Sequence, residues 1–301
     1  MKHAVLVLSL FFFSCSKTPN VTSFKGMAMT MPYCIKVGAK LEKTDKEQIQ
    51  KIIEDAFHEI DGIYNNWNPN SEVSKLNALD KGESRVLSSE LVLFFEKISK
   101  IHECSQGRFD PCVGNLILAY RKSKPIPLKG TWKDMNWKRN LFVKSRSDLI
   151  MDFCGASKGY AIDLIAERLL QKGYTNFYVE WAGEIRTHGQ HPDKRCWTVQ
   201  IRPSHHVIEP ISIALKNAAI ATSGPTQLES DYTHIVNPST GKPISLQDTV
   251  IASVSVRAPT CLLADGLATA AMTFTDYEKA KRWAEKIVEE YPEITIWIYQ
   301  R

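Results

Sequence analysis

Residues 149–163 read Leu-Ile-Met-Asp-Phe-Cys-Gly-Ala-Ser-Lys-Gly-Tyr-Ala-Ile-Asp and constrain the fold more than any other stretch of the chain. A short apolar run ends in Asp152, and a loop with Gly155, Lys158 and Gly159 follows. An apolar face then recurs at Ile162, Ile165, Ala166 and Leu169. The pattern predicts a strand, a loop bearing glycine and lysine, and a helix over about 158–172 that Gly173 stops. A helix N-terminus presents backbone N–H groups to an anion, and Lys158 adds a compact positive charge. With Asp152 at the same mouth, the segment suits a ligand that has both phosphates and hydrogen-bonding edges, with or without a metal between. The spacing is neither the Walker pattern nor the G-x-G-x-x-G fingerprint. An ordinary strand-to-helix connection with a solvated lysine is the plain alternative.

Around this segment the chain changes texture. The N-terminal part reads as amphipathic helices: one opened by a capping box of Thr44 and Glu47, with apolar positions Ile49, Ile52, Ile53, Phe57, Ile60 and Tyr64, and one over about 88–106. Residues 33–37 read as a strand, and residues 65–71, with Asn, Pro and Trp, break the first helix. From residue 141 the reading is β-rich, with strands at 141–144, 150–152, 177–181, 197–202, 211–215, 218–222, 250–256 and 294–299. Helices are expected at about 260–274 and 276–290. No Pro/Gly/Ser linker interrupts residues 25–301, which predicts one continuous α+β domain rather than separable units.

The 301 residues suffice for a core that needs no staples. A net charge of +5 with scattered basic residues gives no stripe for nucleic acid. Lys138, Arg139, Lys144 and Arg146 come closest and read as a solvated face. At the N-terminus, Lys2, an apolar stretch over 4–13 and then Ser14-Cys15 form an export signal too short to span a bilayer. A small residue before a cysteine resembles a bacterial lipoprotein signal over residues 1–15, with Cys15 lipidated and residues 16–24 as a polar tether. A plain signal cut elsewhere is the alternative. The six other cysteines form no C-x-x-C pair, and no His stands at finger spacing, which argues against zinc. Several read as small buried residues, and any disulfide pairing is open.

Four further clusters carry chemistry. Asp265 and Thr269 stand at i and i+4 on a helix of small apolar residues, so both oxygens share one face and suit Mg²⁺. A helix cap or an Arg partner is the alternative role for Asp265. His234 precedes an Asn-Pro-x-x-Gly turn ending at Gly241 and could orient a phosphate, move a proton, or simply pack. Thr222 and Ser223 end a buried strand before Gly224, offering hydroxyls to a ligand or to their own turn. Trp67 and Phe109 could stack on a flat heterocycle with Asp110 accepting from its ring N–H groups, or Trp67 could seal a helix end.

The succession of these motifs, from Met29 and Tyr33 through Trp67…Ser71-Glu72…Asn77, residues 107–114, 152–163, 182–186, 221–224, 234–241 and 264–269, resembles the ApbE family of FAD:protein FMN transferases across about residues 25–300. The resemblance implies a Mg²⁺-dependent enzyme outside the cytoplasmic membrane that moves FMN from FAD onto a Thr or Ser hydroxyl of a target protein and releases AMP. It implies metal ligation by the Gly155 carbonyl with Asp265 and Thr269. It implies flavin-nucleotide contacts from Met29, Trp67, Arg108, Phe109, Asp110, Asp152, Lys158 and Val236. Asp265 and His234 are both candidates for the base. Membrane redox complexes are the expected clients, and an inner-membrane lipoprotein facing the periplasm the expected location. An FAD pyrophosphatase and a non-catalytic flavin-binding lipoprotein are the rival readings. Three positions depart from the family pattern: Met29-Thr30-Met31 for Met-Gly-Thr, Asn237 for Asp, and Ala182-Gly183 for Gly-Gly.

Overall fold

A hairpin of β1 (Thr22–Ala28) and β2 (Met31–Val37) opens the fold, followed by α1 (Lys43–Glu59), α2 (Glu72–Asn77), β3 (Ser84–Val86), α3 (Ser89–Cys104) and α4 (Gly114–Arg121). The short strands β4 (Trp137–Lys138) and β5 (Leu141–Val143) precede α5 (Ser157–Gln171). Then come β6 (Phe177–Trp181), β7 (Glu184–His188), β8 (Trp197–Ile201), β9 (Ile211–Leu215) and β10 (Ala218–Ser223). β11 (Tyr232–Val236), β12 (Pro243–Ser245), β13 (Ile251–Ala258), α6 (Cys261–Ala271), α7 (Tyr277–Glu290) and β14 (Thr295–Gln300) complete the chain. The computed structural model describes residues 20–121, 130–201, 209–224 and 232–301.

Seven strands form one antiparallel sheet in the order β1-β2-β6-β7-β10-β13-β14. Its two faces bury different partners because strand side chains alternate. Phe177, Val179, Trp181, Ala219, Ala221, Ile296 and Ile298 join the main core with the apolar faces of α1, α3, α5 and α6. Their neighbours Tyr178, Ile185, Ala218, Ile220, Trp297 and Tyr299 pack a second core with Val199, Ile201 and Leu215 of the β8–β9 ribbon. The expected α+β domain is thus observed, with helices gathered on one side of an antiparallel sheet.

Local expectations hold unevenly. The expected apolar positions of α1 are buried except Phe57, which is partly so. Its capping box lies two residues upstream of Thr44 and Glu47: the Asp45 carboxylate accepts from the backbone N–H of Glu42 at 2.9 Å. α1 widens into a π turn over Ile60–Tyr64, and Asn65 then leaves helical geometry. Residues 150–152 are not a strand. Their backbone is satisfied instead by Gly114 N–H donating to Ile150 O (3.0 Å), Asp152 N–H donating to Pro111 O (2.7 Å), and the Asn77 side chain bonding both polar groups of Met151 at 2.8 Å. Burial of Leu149 and Met151 by these loops explains an apolar run without a ladder.

Lys144 does not belong to a solvated face. It is buried, and its ammonium donates to Asn77 O at 2.9 Å, beyond the C-terminal end of α2. Residues 22–24, expected in the tether, lie in β1 and pair with residues 35–37 of β2. The export signal, Cys15 and residues 16–19 lie outside the described residues. All six other cysteines are free thiols. Among the described residues no helix is long and apolar enough to cross a membrane.

Two tight turns use residues that rarely adopt their conformation. Met29 (φ 46°) and Thr30 (φ 67°) connect β1 to β2, and Ala182 (φ 55°) and Gly183 (φ 98°) connect β6 to β7. Positive φ at both central residues is the geometry that a two-residue hairpin needs to match strand twist. Both turns lie at positions where the sequence departs from the glycines of the family pattern.

Candidate functional site

The π turn at the end of α1 feeds a loop held by Asp61, which accepts from Asn65 Nδ2 (2.7 Å) and Asn68 Nδ2 (2.8 Å). Asn65 Oδ1 in turn accepts from the Trp67 backbone N–H at 3.0 Å. This presents Trp67, 51% exposed, at the rim of a cleft of about 550 Å³. The indole N–H donates to Cys154 Sγ at 3.2 Å, tying the rim to the 152–159 loop. Trp67 therefore does not seal a helix end.

The loop itself forms one wall. Asp152 Oδ1 accepts from Cys154 N–H (2.8 Å) and Oδ2 accepts from Asn66 Nδ2 (3.2 Å). The Gly155 carbonyl accepts from Thr269 Oγ1 at 3.3 Å. A Cβ at residue 155 would stand 2.9 Å from both Thr269 Oγ1 and Cγ2, so glycine is what lets α6 approach here. Ser223 Oγ lies 3.3 Å from the same hydroxyl, and Thr222 Oγ1 lies 2.8 Å from Ser255 Oγ.

Lys158 enters from the first turn of α5. Its ammonium is 2.8 Å from Glu184 Oε1 and 3.6 Å from Asp265 Oδ2. Burial opposes its charge, but Asp265 and Glu184 outweigh that and raise its pKa. Burial pushes the Glu184 carboxyl up to about 7 against the pull of Lys158. Asp265 also accepts from the Gly159 N–H at 3.1 Å, so its partners are a lysine and a helix N-terminus rather than an Arg. Asp163, buried one turn further along α5, holds α6 in place. It accepts from Cys261 and Leu262 N–H at 2.9 Å each and pairs with Arg186 at 2.7 Å.

The opposite wall comes from residues 108–117 and β11. The Arg108 guanidinium stacks 3.8 Å over the Phe274 ring and donates to Thr273 Oγ1 at 3.4 Å. Phe109 and Asp110 line the cleft while themselves largely buried. Asp110 Oδ1 already accepts from Cys112 N–H (2.9 Å) and Trp132 N–H (3.1 Å), so it organises its loop as well as facing the cleft. His234 is exposed and lines the cleft with Val236. The turn after it is as expected: Asn237 O accepts from Gly241 N–H at 2.9 Å. Asn237 Nδ2 donates to Thr273 O at 3.2 Å, a bond that an Asp there could not make.

Of the residues singled out in the sequence, Trp67, Arg108, Phe109, Asp110, Asp152, Gly155, Lys158, His234, Val236 and Thr269 line this one cleft. Asp265 sits directly behind Lys158, and Met29 stands outside the lining, its sulfur 4.0 Å from Asn65 Nδ2. Glu184 falls within the 182–186 motif. In sequence it is a lone carboxylate opening a strand after a tight turn, a pattern that does not reveal a lysine partner on another element.

The whole chain has close parallels. It is 38% identical to an FAD:protein FMN transferase of Chlamydia pneumoniae, covering 95% of this chain and 94% of that protein. It is 28% identical to one of Vibrio cholerae, covering 86% and 83%. The fold superposes on the crystal structure of Pseudomonas stutzeri flavinyl transferase ApbE in its apo form with a TM-score of 0.82 at 25% identity, covering 94% and 92%. It superposes on Vibrio cholerae flavin transferase ApbE with a TM-score of 0.80 at 24% identity, covering 94% of each chain. A model of the ApbE family matches residues 29–294, from the first hairpin turn to the residue before the last strand. With the cleft built from the same succession of motifs, the chain belongs to the ApbE family.

Proposed function

We propose that this protein transfers FMN from FAD onto a Thr or Ser hydroxyl of a target protein, with AMP as the leaving group. The observation that carries the reading is the convergence of Lys158, the Gly155 carbonyl and Thr269 on one cleft walled by Trp67 and Phe109. A flat ring has surfaces to lie against, and a pyrophosphate has a cation and a helix N-terminus to meet.

Magnesium fits the donors present. Among the described residues no three His, Cys, Asp or Glu side chains gather as a cage. The Gly155 carbonyl and the Thr269 hydroxyl lie 3.3 Å apart, and Asp265 stands one turn before Thr269 on α6; hard oxygens of this kind suit an ion that keeps waters and substrate phosphates. These three residues would hold it, and when bound it would neutralise pyrophosphate charge.

The remaining chemistry belongs to the chain. The acceptor hydroxyl oxygen bonds to the FMN-side phosphorus as the bond from that phosphorus to the bridging oxygen breaks, and AMP leaves with that oxygen. A ring nitrogen of His234 takes the hydroxyl proton. Its exposure on the cleft supports it over Asp265, which is 2% exposed and already engaged by Lys158 and Gly159. Lys158 stabilises the charge that develops on phosphate oxygens, and positioning supplies most of the rate.

The protein with FAD, Mg²⁺ and a peptide bearing the acceptor Thr should give AMP and a peptide heavier by FMN. AMP with free FMN would make it a pyrophosphatase, and unchanged FAD would make it a binder. We further propose that Cys15 carries a lipid that anchors the exported enzyme to the inner membrane, facing the periplasm, near redox complexes as clients. Lys2, the apolar stretch and Ser14-Cys15 support this. Labelling with radioactive palmitate should be lost in Cys15→Ala, and retained label would refute it.

A further inference from the structure

We propose that Glu184 is a positioning residue that holds the Lys158 ammonium in one place over the cleft, so that the lysine meets substrate phosphate in a fixed orientation. The inference rests on the flavin-nucleotide reading above. Glu184 is 3% exposed and lines the cleft, yet only one of its oxygens is engaged. Oε1 is 2.8 Å from Lys158 Nζ, while Oε2 is buried with no hydrogen-bond partner among the described residues. A buried carboxylate satisfied at one oxygen weakens the fold, so its place at the wall of a cleft points to function.

The distances decide which carboxylate fixes the lysine. At 2.8 Å Glu184 makes a charge-assisted hydrogen bond, whereas Asp265 at 3.6 Å is an ion partner without one. Asp265 spends the same Oδ2 on the Gly159 N–H. Glu184 is well placed to act as a fixed point. The Ala182-Gly183 turn sets the start of β7, Trp181 lies opposite it across the ladder, and Ile185 is anchored in the second core on the other face. A lysine has four flexible methylenes and needs such a fixed point to aim its charge.

The test is a double-variant cycle with two readouts: FAD dissociation constant from flavin fluorescence without acceptor, and kcat and KM for transfer to peptide. Glu184→Gln should weaken FAD binding and lower kcat/KM about 10–100-fold, the usual cost of losing a partner that orients a ligand-binding group. In a Lys158→Met background the same change should alter neither readout. Glu184→Asp keeps the charge but retracts it by one methylene, and should fall between wild type and Gln. Wild-type values in Glu184→Gln, or losses that multiply in the double variant, would overturn the proposal. If the wild-type protein binds FAD but never modifies peptide, the transferase reading fails, while the cycle on FAD affinity still decides the role of Glu184.

Discussion

Replacing Gly159 by alanine sets two effects against each other at the heart of the site. An ideal Cβ on Gly159 would stand 2.3 Å from Cys261 O, 2.6 Å from Cys261 C and 2.8 Å from Leu262 N. All three are backbone atoms at the start of α6, so no rotamer change relieves the overlap. Carbon contacts are favourable only at about 3.5–4.0 Å, and α5 and α6 would have to part by roughly 1 Å. Overpacking of this kind costs about 1–3 kcal/mol. Parting also strains the Gly159 N–H bond to Asp265, one of the charge-assisted class that contributes about 1.5–3 kcal/mol. Helix propensity opposes this by no more than about 0.8–1.0 kcal/mol, the value for a helix interior, since Gly159 stands in the first turn of α5. The contact terms win by about 3 kcal/mol, which for a chain of 301 residues lowers Tm by roughly 5 °C. Thermal and urea melts followed by circular dichroism measure it. A variant melting at or above wild type would show that propensity outweighs the α5–α6 contact, and the reasoning would fail.

Three other outcomes are expected. Thr30→Gly and Ala182→Gly remove side chains from left-handed backbone, which costs about 1–2 kcal/mol, at an entropic loss of about 0.5–1 kcal/mol, so both should melt slightly above wild type; a lower Tm would refute the strain. Asp265→Ala should abolish turnover while leaving the far-ultraviolet dichroism spectrum native, and full activity would sink the assignment of metal ligands. Burial raises the Glu184 carboxyl to about 7, so its contribution to stability is fully present below about 4.5, the ordinary glutamate value, and is lost as pH rises through 7. In EDTA, Glu184→Gln should therefore gain stability relative to wild type between pH 5 and pH 8. A difference independent of pH in paired urea melts would contradict this.

Periodicity made much of the architecture legible. The buried stripe of α1, the helices α3, α5, α6 and α7, and the strands β6, β9 and β10 follow from spacing alone, because 3.6- and 2-residue repeats are local properties. Hairpin turns built on Met29-Thr30 and Ala182-Gly183 are not legible in the sequence because neither carries the Asn-Gly or Asp-Gly signature of that geometry. Residues 150–152 show the opposite case, since an apolar run looks the same whether a ladder or a set of loops buries it.

The candidate site shows the same division. Sequence alone determined which residue types were available: a lysine at a helix start, an Asp and a Thr one turn apart, aromatic residues in loops, and a histidine before a tight turn. It could not determine that Lys144 would be buried against the end of α2, nor that Glu184 would be the shortest contact of Lys158. These depend on pairings between residues 26 to 67 positions apart, and burial and charge partnership are set by what the folded chain brings near rather than by local pattern. Only the tertiary structure decided them, because the free energy of a buried charge depends on the few atoms around it, and those atoms come from other elements.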